Sequence, residues 1–447
     1  MSSIADPEPP WRGARPVAMA QLFPTMSSPT SPVSPPASPE TAPYLQRGTA
    51  AFRRANWALF AAGFSTFSLM YCVQPLLPLF ADHFKVSPAQ SSLSLSLTTG
   101  LLALAIFLVG LWASRLPRKS VMAASLFASG VLTLAVAATP DWHALLAVRA
   151  LQGLVLGGVP AVAMAYLAEE VSSSDLGFAM GLYIGGSAFG GMMGRVITGL
   201  VADHSSWRVA LVVVGVVGVL AAVLFVVALP TSRHFKPQRS GGWSAARQGI
   251  VTHLVDPNLL SLFALGFLLM GSFVTIYNYA GFRLMAPPYS LSQTLISAIF
   301  TVYVVGIFAS ALFGRLADRH GRGAMLCMGV GTMLVGLLLT LAVNLVVMVL
   351  GVVVLTFGFF AAHSVASGWV GQLARGYKAQ AASLYLLAYY LGSSVLGSVG
   401  GKCWEWAGWD GVVGLIGAFL VVSAALGARL YIVTSPGRAV VAGERMS

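Results

Sequence analysis

Residues 291–322 read LSQTLISAIFTVYVVGIFASALFGRLADRHGR. The first part, 291–314, carries no charge and is close to the ~20 residues that cross a bilayer. The run stops abruptly at Gly314-Arg-Leu-Ala-Asp-Arg-His-Gly-Arg322. Gly314 permits close approach of two helices, Asp318 suits a helix N-terminus and nearby arginines, and Gly321 provides a turn. The segment reads as a membrane span that ends in a tight charged loop.

The pattern repeats in both directions. Apolar runs lie near 57–80, 90–113, 120–138, 142–168, 178–202, 209–229, 258–282, 291–314, 324–343, 345–368, 380–401 and 411–432. Twelve runs predict an all-α membrane protein with both ends on one side. The one long polar break, 230–257, holds Arg233, Lys236, Arg239 and Arg247. Composition agrees, with 57% hydrophobic and 9% charged residues among 447, against ~25% charged in soluble domains. The net charge of +12 is not gathered into a patch, so nucleic acid is not an expected partner. Cys72, Cys327 and Cys403 lie far apart, which indicates neither a disulfide framework nor a metal site, and no cofactor is expected.

Residues 1–52 form a different material. Eleven of the 23 prolines fall in 1–50, so a disordered tail is expected, and no apolar core marks a signal peptide. Translation from Met26 or nearby is an alternative. The expected organisation is a tail over 1–52, a six-span half over 53–229, a linker over 230–257, a second half over 258–434 and a short tail over 435–447. With both ends inside, twenty Lys and Arg fall on the cytoplasmic side, four outside and two, Arg149 and Arg195, within spans. That bias sets the orientation.

The halves overlay at a shift of about 203 residues. Gly63-Phe64 falls on Gly266-Phe267, Gly110 on Gly314, the segment ending at Tyr183 on that ending at Tyr385, and Trp207 on Trp409. Duplicated halves in the same orientation point to a secondary transporter with its site between them.

The loop from Gly314 to Arg322 is similar to the signature Gly-x-Leu-Ala-Asp-Arg-x-Gly-Arg of the major facilitator superfamily. The resemblance implies a conformational latch that includes Gly314, Asp318, Arg319, Gly321 and Arg322. The first-half copy keeps Gly110, Arg115, Arg118 and Lys119 but has Ser114 and Pro117 where the acid and glycine stand. Arg149-Ala-Leu-Gln152-Gly resembles the Arg-x-x-Gln-Gly motif of the fourth span, which implies a role in proton coupling. An intramembrane arginine is functional by default, with a structural or snorkelling role as the alternative. The fifth span, with Gly185, Gly190 and Gly194, resembles the glycine-rich fifth span of drug:proton antiporters, and these glycines are expected to pack helices. Arg195 reads as structural, snorkelling or pairing with Asp203 or Asp82.

No Asp or Glu lies deep in a span. The first span offers Tyr71, Gln74 and Pro75 instead. His363, the only mid-span histidine, has an unperturbed pKa of ~6.5 that suits a proton site, or else it packs helices. Tyr277, Asn278, Tyr385 and Tyr389, with Tyr279 and Tyr390, would give an aromatic cavity for a hydrophobic or amphipathic solute, or simply pack. Short phrases such as Gly194-Arg195, Ser232-Arg-His-Phe235 and His363-Ser-Val-Ala-Ser367 resemble the acriflavine-sensitivity group of bacterial inner-membrane carriers. The resemblance implies a proton-coupled exporter, and a monomer is expected. Import of a small polar metabolite is the alternative. A membrane enzyme or receptor is disfavoured, since neither paired acids, a His/metal cluster nor a sensing domain is found.

Overall fold

A computed structural model describes residues 44–112, 115–235, 242–374 and 376–434. Residues 1–43 and 435–447, with Ser114, Lys236, Arg239 and Arg375, lie outside the described residues.

Among the described residues, eleven helical segments are long and apolar enough to cross a membrane. They are Ala50–Phe84, Pro88–Gly110, Arg118–Ala137, Trp142–Glu170, Leu176–His204, Trp207–Ala228, Pro257–Met285, Gln293–His320, Arg322–Leu339, Leu345–Leu373 and Lys378–Thr434. The last has 57 residues, nearly three times what a bilayer needs, and it is broken at Ala407 and Gly408, where φ reaches 57° at the glycine. It is therefore two spans, 378–406 and 409–434, and the total is twelve. The fold is all-α, a twelve-span bundle in two six-helix halves. The side bearing residues 50 and 434 is called here the terminal face, and the other the distal face.

Local chemistry starts the helices where they start. Thr49, Ser206 and Asp256 cap the first, sixth and seventh spans by accepting backbone N–H groups from Phe52, Val209, and Asn258 and Leu259. The repeat is visible in this detail. Asp141 caps the fourth span and Asn344 caps the tenth, each taking two N–H bonds. Side chains at Gly190 and Gly392 would overlap the carbonyls of Phe64 and Phe267, so spans one and five touch as spans seven and eleven do. Large apolar side chains left uncovered, among them Val212, Leu220 and Val227 on span six and Phe308 on span eight, mark faces that lipid covers.

The folded body begins earlier than the proline content led us to expect. Tyr44 stacks on His234 at 4.2 Å, Leu45 bridges to Val171, and Phe52 is buried. Residues 44–52 therefore belong to the first half rather than to a tail. The linker contains a helix, Gly242–Leu254, whose Gly249 and His253 pack on Tyr377 at the entry to span eleven.

Candidate functional site

The first span is not one continuous helix. It gives way after Tyr71, passes through a short 3-10 turn at Gln74–Leu76 and resumes at Leu77. Pro75 and Pro78 lack the N–H groups that would continue the ladder. The break also takes Val73 and Gln74 out of the helix, so the carbonyls of Leu69 and Met70 lose their helical N–H partners and need others where no water reaches. Arg149 supplies them. Its guanidinium donates to Leu69 O (3.2 Å), Met70 O (2.8 Å), Ser94 O (2.9 Å) and Gln152 Oε1 (2.6 Å). Gln152 in turn donates to Thr133 Oγ1 at 2.6 Å. Arg149 and Gln152 are fully enclosed and tie four spans of the first half together.

Arg195 does not snorkel and pairs with neither Asp203 nor Asp82. It is 1% exposed. Its Nε donates to Gln74 Oε1 (2.6 Å) and its Nη1 to Gly191 O (2.5 Å). The rings of Tyr71, Phe300 and Tyr303 surround it at 3.9, 5.0 and 4.9 Å. Gln74 completes a chain by donating to Asn278 Oδ1 at 2.7 Å, from span one to span seven. The reason is local: Gly191 has no side chain, and a Cβ there would stand 3.4 Å from Arg195 Nη1, so the guanidinium folds back over it. A buried arginine flanked by glycines was the signal available in the sequence.

The second half contributes an aromatic wall. His363 Nδ1 lies 2.9 Å from the Tyr385 hydroxyl, and its ring is within 4.6 Å of Tyr389 and 5.7 Å of Phe359. Tyr277 shares a 2.8 Å bond with Thr356 Oγ1. Phe273 stacks on Phe359 at 3.9 Å and meets Tyr303 at 5.4 Å, so the wall runs on to the cage around Arg195. Of the residues expected to line a cavity, Tyr71, Gln74, Tyr277, Asn278 and Tyr385 are buried at this seam, while Tyr389 and His363 keep partial exposure. His363 and Arg149 share no partner; each is tied to its own half.

The seam between halves is asymmetric. Towards the distal face it is joined by Gln74–Asn278, by Gln293 Nε2 donating to Pro75 O, and by Thr294 Oγ1 donating to Asp203 (2.6 Å). Spans five and eight meet chiefly through residues 293–302 of the latter. Towards the terminal face, no atom of the described residues approaches within 4 Å of a Cβ placed at Gly177, Gly181, Gly185 or Gly314. Gly185 and Gly314 are thus not packing positions here, because the two spans diverge; Gly190 and Gly194 meet span one at Phe64 and Ser68.

The charged loops differ between halves. Arg322 pairs with Asp318 at 3.0 Å, with Gly321 at φ 88° turning the chain between them and Arg319 exposed. In the first half Arg118 is 5% exposed and paired with Glu169 through two bonds of 2.7 and 3.2 Å. Lys119 donates to Leu229 O at 2.5 Å, and Arg115 is exposed. An acid from the end of span four thus meets the arginine at the start of span three. Gly110 faces Ser383 of span eleven beside the linker helix.

Comparison with known proteins accords with this architecture. The sequence profile of the Major Facilitator Superfamily matches residues 59–287 and 268–446. The chain is 46% identical over 380 residues to an uncharacterized MFS-type transporter, YybF, of Bacillus subtilis, covering 85% of this chain and 94% of that protein. It is 43% identical over 388 residues to the inner membrane transport protein YnfM of Escherichia coli, covering 87% and 93%. A crystal structure of a mutant of the nucleoside transporter NupG superposes with a TM-score of 0.73 at 15% identity, covering 84% of this chain and all of that one. Kinship of this extent makes the chain a secondary transporter for a small solute, embedded in a membrane, rather than an enzyme. The chain belongs to the major facilitator superfamily.

Proposed function

We propose that the protein exports a small hydrophobic or amphipathic solute from a bacterium in exchange for protons. It works as a monomer in the inner membrane with both termini cytoplasmic. The two halves, 44–229 and 258–434, rock about the seam so that the aromatic wall faces one side at a time. The observation that carries the reading is the asymmetry of that seam: it is bonded at the distal face and parted between spans five and eight at the terminal face, beside a wall of stacked rings. Such a half-open seam is what alternating access requires of one of its two states. The positive-inside bias supports the orientation, and the name of the E. coli relative supports the membrane. Proton coupling rests on His363, the only histidine midway through a span, in contact with Tyr385 and Tyr389. The loop at Asp318, with Arg319 and Arg322, serves as the latch of the second half, while Arg118 and Lys119 hold the first.

The reading is tested by solute accumulation in everted vesicles, with and without an imposed proton gradient, across dyes, sugars and amino acids. Gradient-dependent uptake of an amphipathic member supports it. Gradient-independent equilibration of polar solutes alone overturns it.

A further inference from the structure

The membrane core of this protein contains two arginines and no carboxylate, and the two arginines are treated differently. Arg149 is saturated: four oxygen acceptors of the first half surround it, three of them backbone carbonyls. Its charge closes a broken helix and is spent there. Arg195 has only neutral oxygen partners, Gln74 Oε1, Gly191 O and the Tyr303 hydroxyl, and otherwise meets aromatic faces. Among the described residues no carboxylate pairs with it. A buried cation without an anion is held at a large desolvation cost, which ring faces and neutral dipoles offset only in part.

The position of the charge matters as much as its environment. Arg195 sits where the halves meet, with Tyr71 from one half and Phe300 and Tyr303 from the other around it. Asn278 is joined to it only through Gln74, and its Nδ2 lies instead near Gly397 of span eleven. The cage therefore holds a positive charge with no anion against it. From Tyr303 its wall runs through Phe273, Phe359 and His363 to Tyr389, aromatic throughout and partly exposed at the last two. A ligand that completes such a site brings negative oxygens at one end and an apolar body at the other.

We infer that Arg195, in its cage of rings, forms a binding site for an organic anion, a carboxylate or sulfonate on an aromatic or alkyl body. The anionic head meets the guanidinium between Tyr71 and Tyr303, and the body lies along Tyr389 and His363. The inference rests on the transport reading above and narrows its substrate class. It also gives a physical reason for the missing deep acid, since a carboxylate in the first span would neutralise the charge that recognises the solute.

The test uses the full-length protein in lipid nanodiscs and three probes of one shape in calorimetric titrations near pH 7. They are 2-naphthoate, the neutral 2-naphthylmethanol and the cationic 2-naphthylmethylamine. Naphthoate is expected to bind at least about tenfold more tightly than the alcohol, the ratio one charge-assisted hydrogen bond supplies, with the amine weakest. R195Q removes the preference but keeps alcohol binding, whereas R195K keeps the charge and part of the preference. Equal binding of acid and alcohol by the wild type overturns the anion site and leaves the transport reading intact, as does an unchanged preference in R195Q. Should R195Q not fold, the wild-type ratio and R195K decide. Failure of all three probes to bind counts against both readings.

Discussion

Gln74 donates to Asn278 across the seam at 2.7 Å while its own carbonyl oxygen accepts from Arg195 at 2.6 Å. One amide thus joins three spans, and it does so at the level where the first span has lost its regular ladder. Closure of the distal face and the position of the buried charge are set by the same side chain.

Replacing Gln74 by Leu is expected to weaken distal closure. A net hydrogen bond contributes about 1 kcal/mol, which shifts a two-state population roughly fivefold. Ser96, 3% exposed with an unbonded hydroxyl, provides a reporter. In a background free of the native cysteines, Ser96→Cys is expected to react with a membrane-impermeant maleimide several-fold faster when Gln74 is Leu. An unchanged rate would mean that other distal contacts suffice.

The fifth span allows a matched pair of substitutions. A methyl at Gly190 would strike the carbonyl of Phe64, whereas one at Gly185 would meet nothing within 4 Å. Gly190→Ala is expected to destabilise by about 1–3 kcal/mol through overpacking. Gly185→Ala is expected to be neutral. Thermal unfolding followed by size-exclusion chromatography separates the two.

At the charged loops the same contrast recurs. Asp318 is 68% exposed, so its pair with Arg322 contributes at most ~1 kcal/mol to stability. Asp318→Asn is expected to leave protein abundance near normal and to slow transport. Glu169→Gln removes an acid paired with an arginine only 5% exposed, and a loss of about 1–3 kcal/mol, more than at Asp318, is expected, seen as reduced abundance. Normal transport by Asp318→Asn would make that loop ordinary solvated surface.

For coupling, His363→Gln retains a hydrogen-bonding group near Tyr385 but removes titration. Flux driven by a pH gradient is expected to vanish while solute exchange at zero gradient persists. Full gradient-driven flux in this variant would exclude His363 as the proton carrier.

The fold was largely legible because lipid imposes a length on apolar runs and polar punctuation between them. The repeat was legible too, since Phe64 and Phe267, or Trp207 and Trp409, fall on equivalent positions. What the sequence concealed was azimuth. Residue spacing tells how deep Arg195 lies, but not that its side chain turns back over Gly191 into a cage of three rings from two other spans. For the same reason Gly185 looked like Gly190, one pointing at nothing and the other at a backbone. The partner of Arg118 was hidden by distance along the chain, because Glu169 lies 51 residues on and replaces an acid expected next door.

Consider finally the glycine contacts of Gly190 on Phe64 and Gly392 on Phe267. Each brings one helix backbone against another with no side chain between them to bend. The spans so joined are one with five and seven with eleven, and all four border the seam. The edges of the two halves therefore behave as stiff beams. Strain introduced by a bound solute is not absorbed inside a half; it is delivered to the next joint that can give. A carrier built this way turns a small displacement at its centre into a large one at its rims.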